Sequence, residues 1–261
     1  MSGVARYDEV ADFYAAGWTD DIDDPASRRL LDLLEPIGGR RVLEIACGHG
    51  RISRALARRG AEVVGADLSA ALIGKAEAAE RESPLGIRYL HADVAAGPAA
   101  SDLRGLGPFD VVVCSFGLSD IDDLDGAVAT AAAVLRPGGV FACSILHPCF
   151  PGGQGVSGSW PGEARYHAEG WWRADGELSS LRRRVGANHR TLSTYLNTLR
   201  HHDLWVDELA EPEPAPEWAA KRPDAARFPV FLVLSCVKGD AGRRRPPSAD
   251  GQGSPPAPAT A

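Results

Sequence analysis

No stretch of this 261-residue chain approaches the roughly 18 uninterrupted apolar residues of a membrane-spanning helix, and its acidic opening, MSGVARYDEVADFY, lacks the charged-then-apolar plan of a signal peptide. These absences set the expectation of a cytoplasmic protein without a membrane partner. Positive charge is also short: 28 Lys and Arg stand against 35 Asp and Glu, a net charge of −7, and they form no stripe interleaved with aromatics. A nucleic-acid surface has little support on that balance, and a small or uncharged partner fits better. Cysteine is sparse, five residues with no two at the spacing of a metal knuckle, so no metal is expected. Cys47, Cys114, Cys143 and Cys236 fall in or at the ends of predicted strands, where small apolar residues are buried.

What is present is alternation. With 44% hydrophobic residues there is enough apolar material for one α/β domain. Residues 5–35 read as helical around an acidic interruption that Pro25 closes. RVLEIA (41–46) is a short apolar run ending at Gly48, hence a buried strand; ISRALARRG, stopped by Gly60, is a helix. EVVGADLS, IRYLHAD, FDVVVCSFG and VFACSILH are further strands. The helices AALIGKAEAAERE and LDGAVATAAAVLRPGG, the second breaking at Pro137, lie among them. Strands alternating with helices predict βαβ units and a parallel sheet covered on both faces.

The pattern changes after residue 148. Residues 149–190 are rich in Gly and Trp without sustained periodicity, which predicts an insertion or lid rather than a core element. HRTLSTYLNTLRHHD restores helical spacing through Leu192, Tyr195, Leu196 and Leu199, and LWVDEL and FPVFLVLSCVK are the last two strands. The expected layout is a single domain over 1–238: an N-terminal helical cover (1–35), a core (36–148), the insertion (149–190) and a C-terminal helix with strands (191–238). From Gly239 to Ala261 the chain is Arg, Pro, Gly, Ser and Ala without apolar periodicity, a disordered tail.

The stretch VLEIACGHGR (42–51) carries the chemistry. A strand, a glycine-rich turn and a helix N-terminus bring backbone N–H groups close to a ligand, a plan common to sites for many nucleosides. The dinucleotide fingerprint requires a third glycine three positions after the second; Ser53 stands there, which weakens a pyrophosphate reading. Glu44 is more informative. A carboxylate in a central parallel strand costs several kcal/mol unless it is paired or hydrogen-bonded. Either a Lys or Arg from elsewhere in the fold or a ligand bearing an ammonium group would answer it.

At this point the chain resembles the class I S-adenosylmethionine-dependent methyltransferases. LEIACGHG resembles their first motif, acid-x-x-x-Gly-x-Gly; VVGADLS their second strand ending in an acid; HAD their third-strand acid; and LRPGG the turn before their fifth strand. The resemblance is close over about residues 38–146 and looser to about 238. It implies a Rossmann-like, doubly wound, seven-stranded, mostly parallel sheet with the last strand antiparallel, and S-adenosyl-L-methionine as cofactor. Gly48 and Gly50 would pass the turn against the cofactor, Ala46 lies beside them, and Glu44 would answer the ammonium group directly or through water. Asp67 would accept both ribose hydroxyls, with Leu68 flanking the adenine; Asp93 would accept from the adenine amino group, with Val94 beside the ring. Taken alone, Asp67 reads equally as a helix cap and Asp93 as a strand end. Ser115 and Phe116 would face the same crevice, and Tyr14 its methionine end.

Methyl transfer is an in-line displacement in which the protein aligns the acceptor and excludes water. Where a general base helps, His is the usual choice near neutral pH. His147, ending the fifth strand, and His189, beginning a helix after the insertion, are the candidates; a hydrogen-bonded strand end and a helix start are their bland alternatives. Trp18 from the cover, Trp160, Tyr166, Trp171 and Trp172 from the insertion, and Tyr195 are candidates to line the acceptor, although rings of this kind also pack insertions onto domains. The expected activity is methylation of O or N of a small, ring-containing metabolite. The Arg-, Ala- and Gly-rich composition suggests a high-GC bacterium, where such enzymes tailor natural products. The alternatives are a non-catalytic cofactor-binding partner or regulatory subunit and a nicotinamide-dependent oxidoreductase. A nucleic-acid or protein methyltransferase lacks both a base-flipping signature and an added basic domain.

Overall fold

The computed structural model describes residues 5–18, 21–97, 103, 105–153, 156–161, 165–174 and 180–239. All but the first residue of the predicted tail lies outside them. The elements are α1 (Ala11–Ala16), α2 (Pro25–Leu33), β1 (Arg41–Ile45), α3 (Arg51–Arg58), β2 (Glu62–Asp67), α4 (Ala70–Glu82), β3 (Arg88–His91), β4 (Phe109–Ser115), α5 (Leu124–Val134) and β5 (Leu135–Leu146). There follow β6 (Gly152–Gly153), β7 (Val156–Ser157), β8 (Gly170–Trp172), α6 (Ser180–Val185), β9 (Ala187–His189), α7 (Leu192–His201), β10 (Leu204–Ala210), α8 (Pro216–Lys221) and β11 (Phe231–Lys238).

Seven strands form one sheet in the order β3-β2-β1-β4-β5-β11-β10. The five strands from β3 to β5 run parallel, whereas β11 is antiparallel to both neighbours. The central strands are buried on both faces, which is why their sequences are continuous apolar runs rather than alternating ones. Leu43, Ile45, Val112 and Phe141 pack towards α5 and α7 on one side, while Val42, Val111 and Val113 pack with residues of α2, α3 and α4 on the other. Cys47, Cys114, Cys143 and Cys236 are buried free thiols, and Cys149 is exposed.

Helix starts follow local chemistry. Asp24 accepts from the Ser27 amide at 2.7 Å with Pro25 as the first helical residue, and Ser69 accepts from Leu72 at 3.1 Å. Two local expectations are corrected. The LRPGG segment is strand and not helix: α5 stops at Val134, and Leu135, already extended at ψ 141°, pairs with Phe109. Pro137 also disfavours helical geometry in Arg136 before it. His189 does not begin a helix but ends β9, paired with Gly170 of β8; α7 starts after Thr191, whose hydroxyl accepts from Thr194 at 3.3 Å. The insertion thus has short strand pairs of its own, β6 with β7 and β8 with β9.

The strand order reverses direction between β1 and β4, where loops after the two strands diverge and leave a crevice at their carboxyl ends. Arg51, the first residue of α3, ties the N-terminal cover down across that edge. It donates to Asp24 at 3.0 Å and to the Asp21 carbonyl at 2.7 Å, with its guanidinium 4.7 Å from the centre of the Trp18 ring.

Candidate functional site

The turn after β1 runs in left-handed backbone: Ala46 at φ 52°, Gly48 at 57° and Gly50 at 87°. Such angles favour glycine at two of the three positions and strain Ala46. At Gly48 the approaching group is Tyr14, whose Cε1 would lie 3.4 Å from an added methyl. At Gly50 it is Tyr89: a methyl there would overlap the Tyr89 hydroxyl and stand 2.8 Å from its Cζ. Gly50 thus makes room for the packing of Tyr89 behind the turn. Gly50→Ala is expected to cost about 1–3 kcal/mol of overpacking. At about 2–4 °C per kcal/mol, scanning calorimetry should show a drop of several degrees in unfolding midpoint, part of it restored by Tyr89→Phe. An unchanged midpoint would mean that Tyr89 moves aside freely.

Two acids flank the turn, and a third stands further along the strand ends. Glu44, at 2% exposure, takes hydrogen bonds from the Ser53 hydroxyl and amide, and among the described residues no Lys or Arg forms an ion pair with it. Burial outweighs those bonds and pushes its carboxyl up to about 8, with the nearby charge of Asp67 adding to the shift. Asp67 accepts from Gly48 N and Ser69 N, each at 2.8 Å, and burial likewise raises its carboxyl. Ser69, not Asp67, caps α4. Asp93 accepts from Ala95 N at 3.0 Å. The buried Glu44 and the partly exposed Asp67, within electrostatic reach of each other, make a site that favours positive charge.

In front of them lies a cavity of about 730 Å³. Ala46, Asp67, Leu68, Asp93, Val94, Ser115 and Phe116 line it from the strand ends; Tyr14 and Trp18 line it from the N-terminal cover, and Trp171 from the insertion. Phe116, itself left-handed at φ 58°, stacks on Trp18 with ring centres 6.3 Å apart, and Tyr14 meets Tyr7 edge-on at 5.1 Å. Glu44, Gly48 and Gly50 lie behind this lining rather than in it.

Six predicted acceptor-site residues are not brought to the cavity. His147 is buried with both ring nitrogens engaged: Nδ1 accepts from Cys149 N at 3.0 Å, and Nε2 meets Glu211 at 2.9 Å. Burial lowers its pKa against the opposing pull of Glu211, and it closes a strand end. His189 Nε2 donates to the Tyr166 carbonyl at 2.7 Å, and its ring packs 5.2 Å from Trp160. The Tyr166 hydroxyl accepts from Leu192 N at 2.8 Å, and Trp172 Nε1 donates to the Ser159 carbonyl at 3.0 Å. Tyr195 is buried in the core under α7. These rings hold the insertion onto the sheet. Trp172, His189 and Tyr195 border a separate chamber of about 20 Å³, the size of a single water.

Sequence reasoning missed Asp120, Asp122 and Arg182, which line the cavity. Asp120 and Asp122 follow the fourth strand at the carboxyl edge, a place where acids warrant scrutiny. Arg182 carried no sequence signal, because it arrives on a helix inside the insertion. Among the described residues no cluster of His, Cys, Asp and Glu has the arrangement of a metal site, and no helix is long and apolar enough to cross a membrane.

Residues 42–139 match the family described as methyltransferase domain. The chain is 33% identical over 124 residues to the ubiquinone biosynthesis O-methyltransferase of Methylococcus capsulatus, an alignment covering 48% of this chain and 51% of that relative. It therefore spans about half the length of the curated relatives it matches. A solved S-adenosylmethionine-dependent methyltransferase from Mesorhizobium loti superposes with a TM-score of 0.61 at 28% identity, covering 80% of this chain and 96% of the other. The 1,6-didemethyltoxoflavin-N1-methyltransferase of Burkholderia thailandensis shares the fold at 16% identity and a TM-score of 0.59, covering 90% and 87% of the two chains.

Proposed function

We propose, for a chain that belongs to the class I S-adenosylmethionine-dependent methyltransferases, transfer of a methyl group to an oxygen or nitrogen atom of a small, ring-containing metabolite. The observation that carries this reading is the convergence of Asp67 and Asp93 on one edge of a roofed, largely apolar cavity, with the buried Glu44 behind that lining. S-adenosylmethionine supplies an electrophilic methyl on a sulfonium and brings two positive groups, its ammonium and that sulfonium. A buried Glu44 that ionises to meet a positive group, with Asp67 nearby, fits such a cation.

The chain's own residues then have distinct tasks. Asp67 holds the ribose hydroxyls with the oxygen lone pairs left over from Gly48 and Ser69, and Leu68 flanks the adenine. Asp93 and Val94 serve the adenine edge. Tyr14, Trp18 and Phe116 form an aromatic wall that excludes water where the methyl is transferred. At about 730 Å³ the cavity lies within the range of ligand sites, with space for a cofactor beside a small acceptor and no room for a folded macromolecule. No histidine lines it among the described residues, so alignment and desolvation carry more of the rate than a His base does.

The name of the ubiquinone-pathway relatives favours oxygen as the methylated atom and a primary-metabolic acceptor over natural-product tailoring. The test is titration calorimetry with S-adenosylmethionine, S-adenosylhomocysteine and NAD. We expect binding of the first two and none of NAD; preferential NAD binding would overturn the assignment.

A further inference from the structure

Two separate cover segments close the cavity, and both are fastened to the loop between β4 and α5. Arg6 pairs with both oxygens of Asp122 at 3.0 and 2.7 Å. Arg190 donates to the carbonyls of Leu118, Ile121 and Asp122 at 2.9, 2.7 and 2.8 Å, and the Asn188 amide to Ser119 at 2.7 Å. These contacts hold the loop rigid, and Asp120 lies in the middle of it.

Asp120 receives a charged hydrogen bond from Arg182, which also donates to the Gly186 carbonyl at 2.9 Å. The Tyr7 hydroxyl donates to the same carboxylate. Burial, with the charge of Asp120 adding, keeps Tyr7 well above the usual tyrosine range, so it remains a donor at neutral pH. A carboxylate has about four lone-pair positions, and these two donors leave room for a third.

The other acids in the lining are committed elsewhere. Asp24 caps α2 and binds Arg51, Asp123 caps α5, and Asp122 holds Arg6 and Asn188. Asp67 and Asp93 belong to the cofactor groove. Asp120 is close enough to Asp67 and Tyr14 to affect their protonation, and it shares the cavity with the apolar side chains of Phe116, Ile121, Leu146, Leu181 and Val185.

We propose that Asp120 reads the methyl acceptor: its carboxylate accepts a hydrogen bond from the hydroxyl or N–H to be methylated, in a molecule whose remainder is an apolar ring system. This rests on the methyltransferase reading above. Its physical basis is asymmetric. A ligand that fills the cavity but lacks the donor cuts a carboxylate oxygen off from water without a partner, and sites built around such a bond reject the donor-free analogue strongly. The methylated product of a hydroxyl acceptor is itself such an analogue, so the same contact that holds the substrate releases the product.

The experiment uses the full chain saturated with S-adenosylhomocysteine and two probes of nearly equal shape, 2-naphthol and 2-methoxynaphthalene, titrated calorimetrically. The expected preference for 2-naphthol is at least about tenfold, falling to within about twofold in Asp120→Ala with S-adenosylhomocysteine still bound at saturation. Asp120→Asn, which keeps an acceptor for Tyr7 and so guards against misfolding, should retain only part of the preference. Equal binding of the two probes, binding of neither, or a preference that survives in both variants would overturn the proposal. Failure of the wild type to bind S-adenosylhomocysteine would instead refute the cofactor assignment beneath it.

Discussion

An Asp67→Ala variant is expected to bind S-adenosylmethionine at least about tenfold more weakly than the wild type, a loss of about 1.4 kcal/mol or more. Two effects add. The carboxylate offers oxygens at the spacing of a ribose diol, and it also ties the glycine turn to the start of α4 through Gly48 N and Ser69 N at 2.8 Å each. Asp67→Asn separates them, because an amide oxygen retains one of the two backbone bonds while the charge is gone. Calorimetric titration of both variants should give the order wild type, Asn, Ala in falling affinity. Wild-type affinity in Asp67→Ala would remove this residue from the cofactor site.

The second large effect is a pH dependence that originates at Glu44. Its carboxyl titrates near 8 in the ligand-free protein, so at pH 7 it is mostly protonated and must ionise to meet an ammonium group. Cofactor affinity should rise about tenfold per pH unit between roughly pH 6 and 8 and then level off, with close to one proton released on binding at pH 7. Titrations in buffers of different ionisation enthalpy measure that proton directly. In Glu44→Gln the release and the slope should both vanish; a slope that persists would assign the titration to another group. The stability of the ligand-free chain moves the opposite way. A folded-state pKa raised above the unfolded value contributes stability that is full below the ordinary glutamate range and is lost as pH rises through about 8. Glu44→Gln should therefore lose less stability than the wild type between pH 5 and 8 in thermal melts, within roughly the range where the two pKa values differ.

The glycine turn and the acids near it were legible because their signals are local. Glu44, Gly48 and Gly50 fall within one strand–turn–helix, and Asp67 and Asp93 each stand at or just after a strand end marked by an apolar run. Even there one reason for glycine at position 50 was not legible: besides its φ of 87°, it is crowded by Tyr89 on β3, a neighbour that only sheet pairing supplies. The acceptor side was read poorly. Histidines at strand and helix ends attract attention as bases, yet His147 is spent on Cys149 and Glu211, and His189 on Tyr166. Of the insertion's aromatic rings considered for the acceptor, Trp171 alone reaches the cavity, because β8 alternates its side chains and buries Trp172 on the other face.

The amino-acid sequence by itself determined the alternation of strands and helices, the glycine turn and the buried acid in the strand before it. Each follows from periodicity or from the cost of burying charge, properties that neighbouring residues express together. Only the tertiary structure decided what roofs the cavity and which polar groups from distant segments line it. Tyr7, Asp120 and Arg182 come from the N-terminal cover, a loop of the sheet and a helix of the insertion, the last two 62 positions apart. Their meeting depends on how segments without periodicity dock against the strand ends, and that docking is set by shape and pairing across the fold rather than by any pattern along the chain.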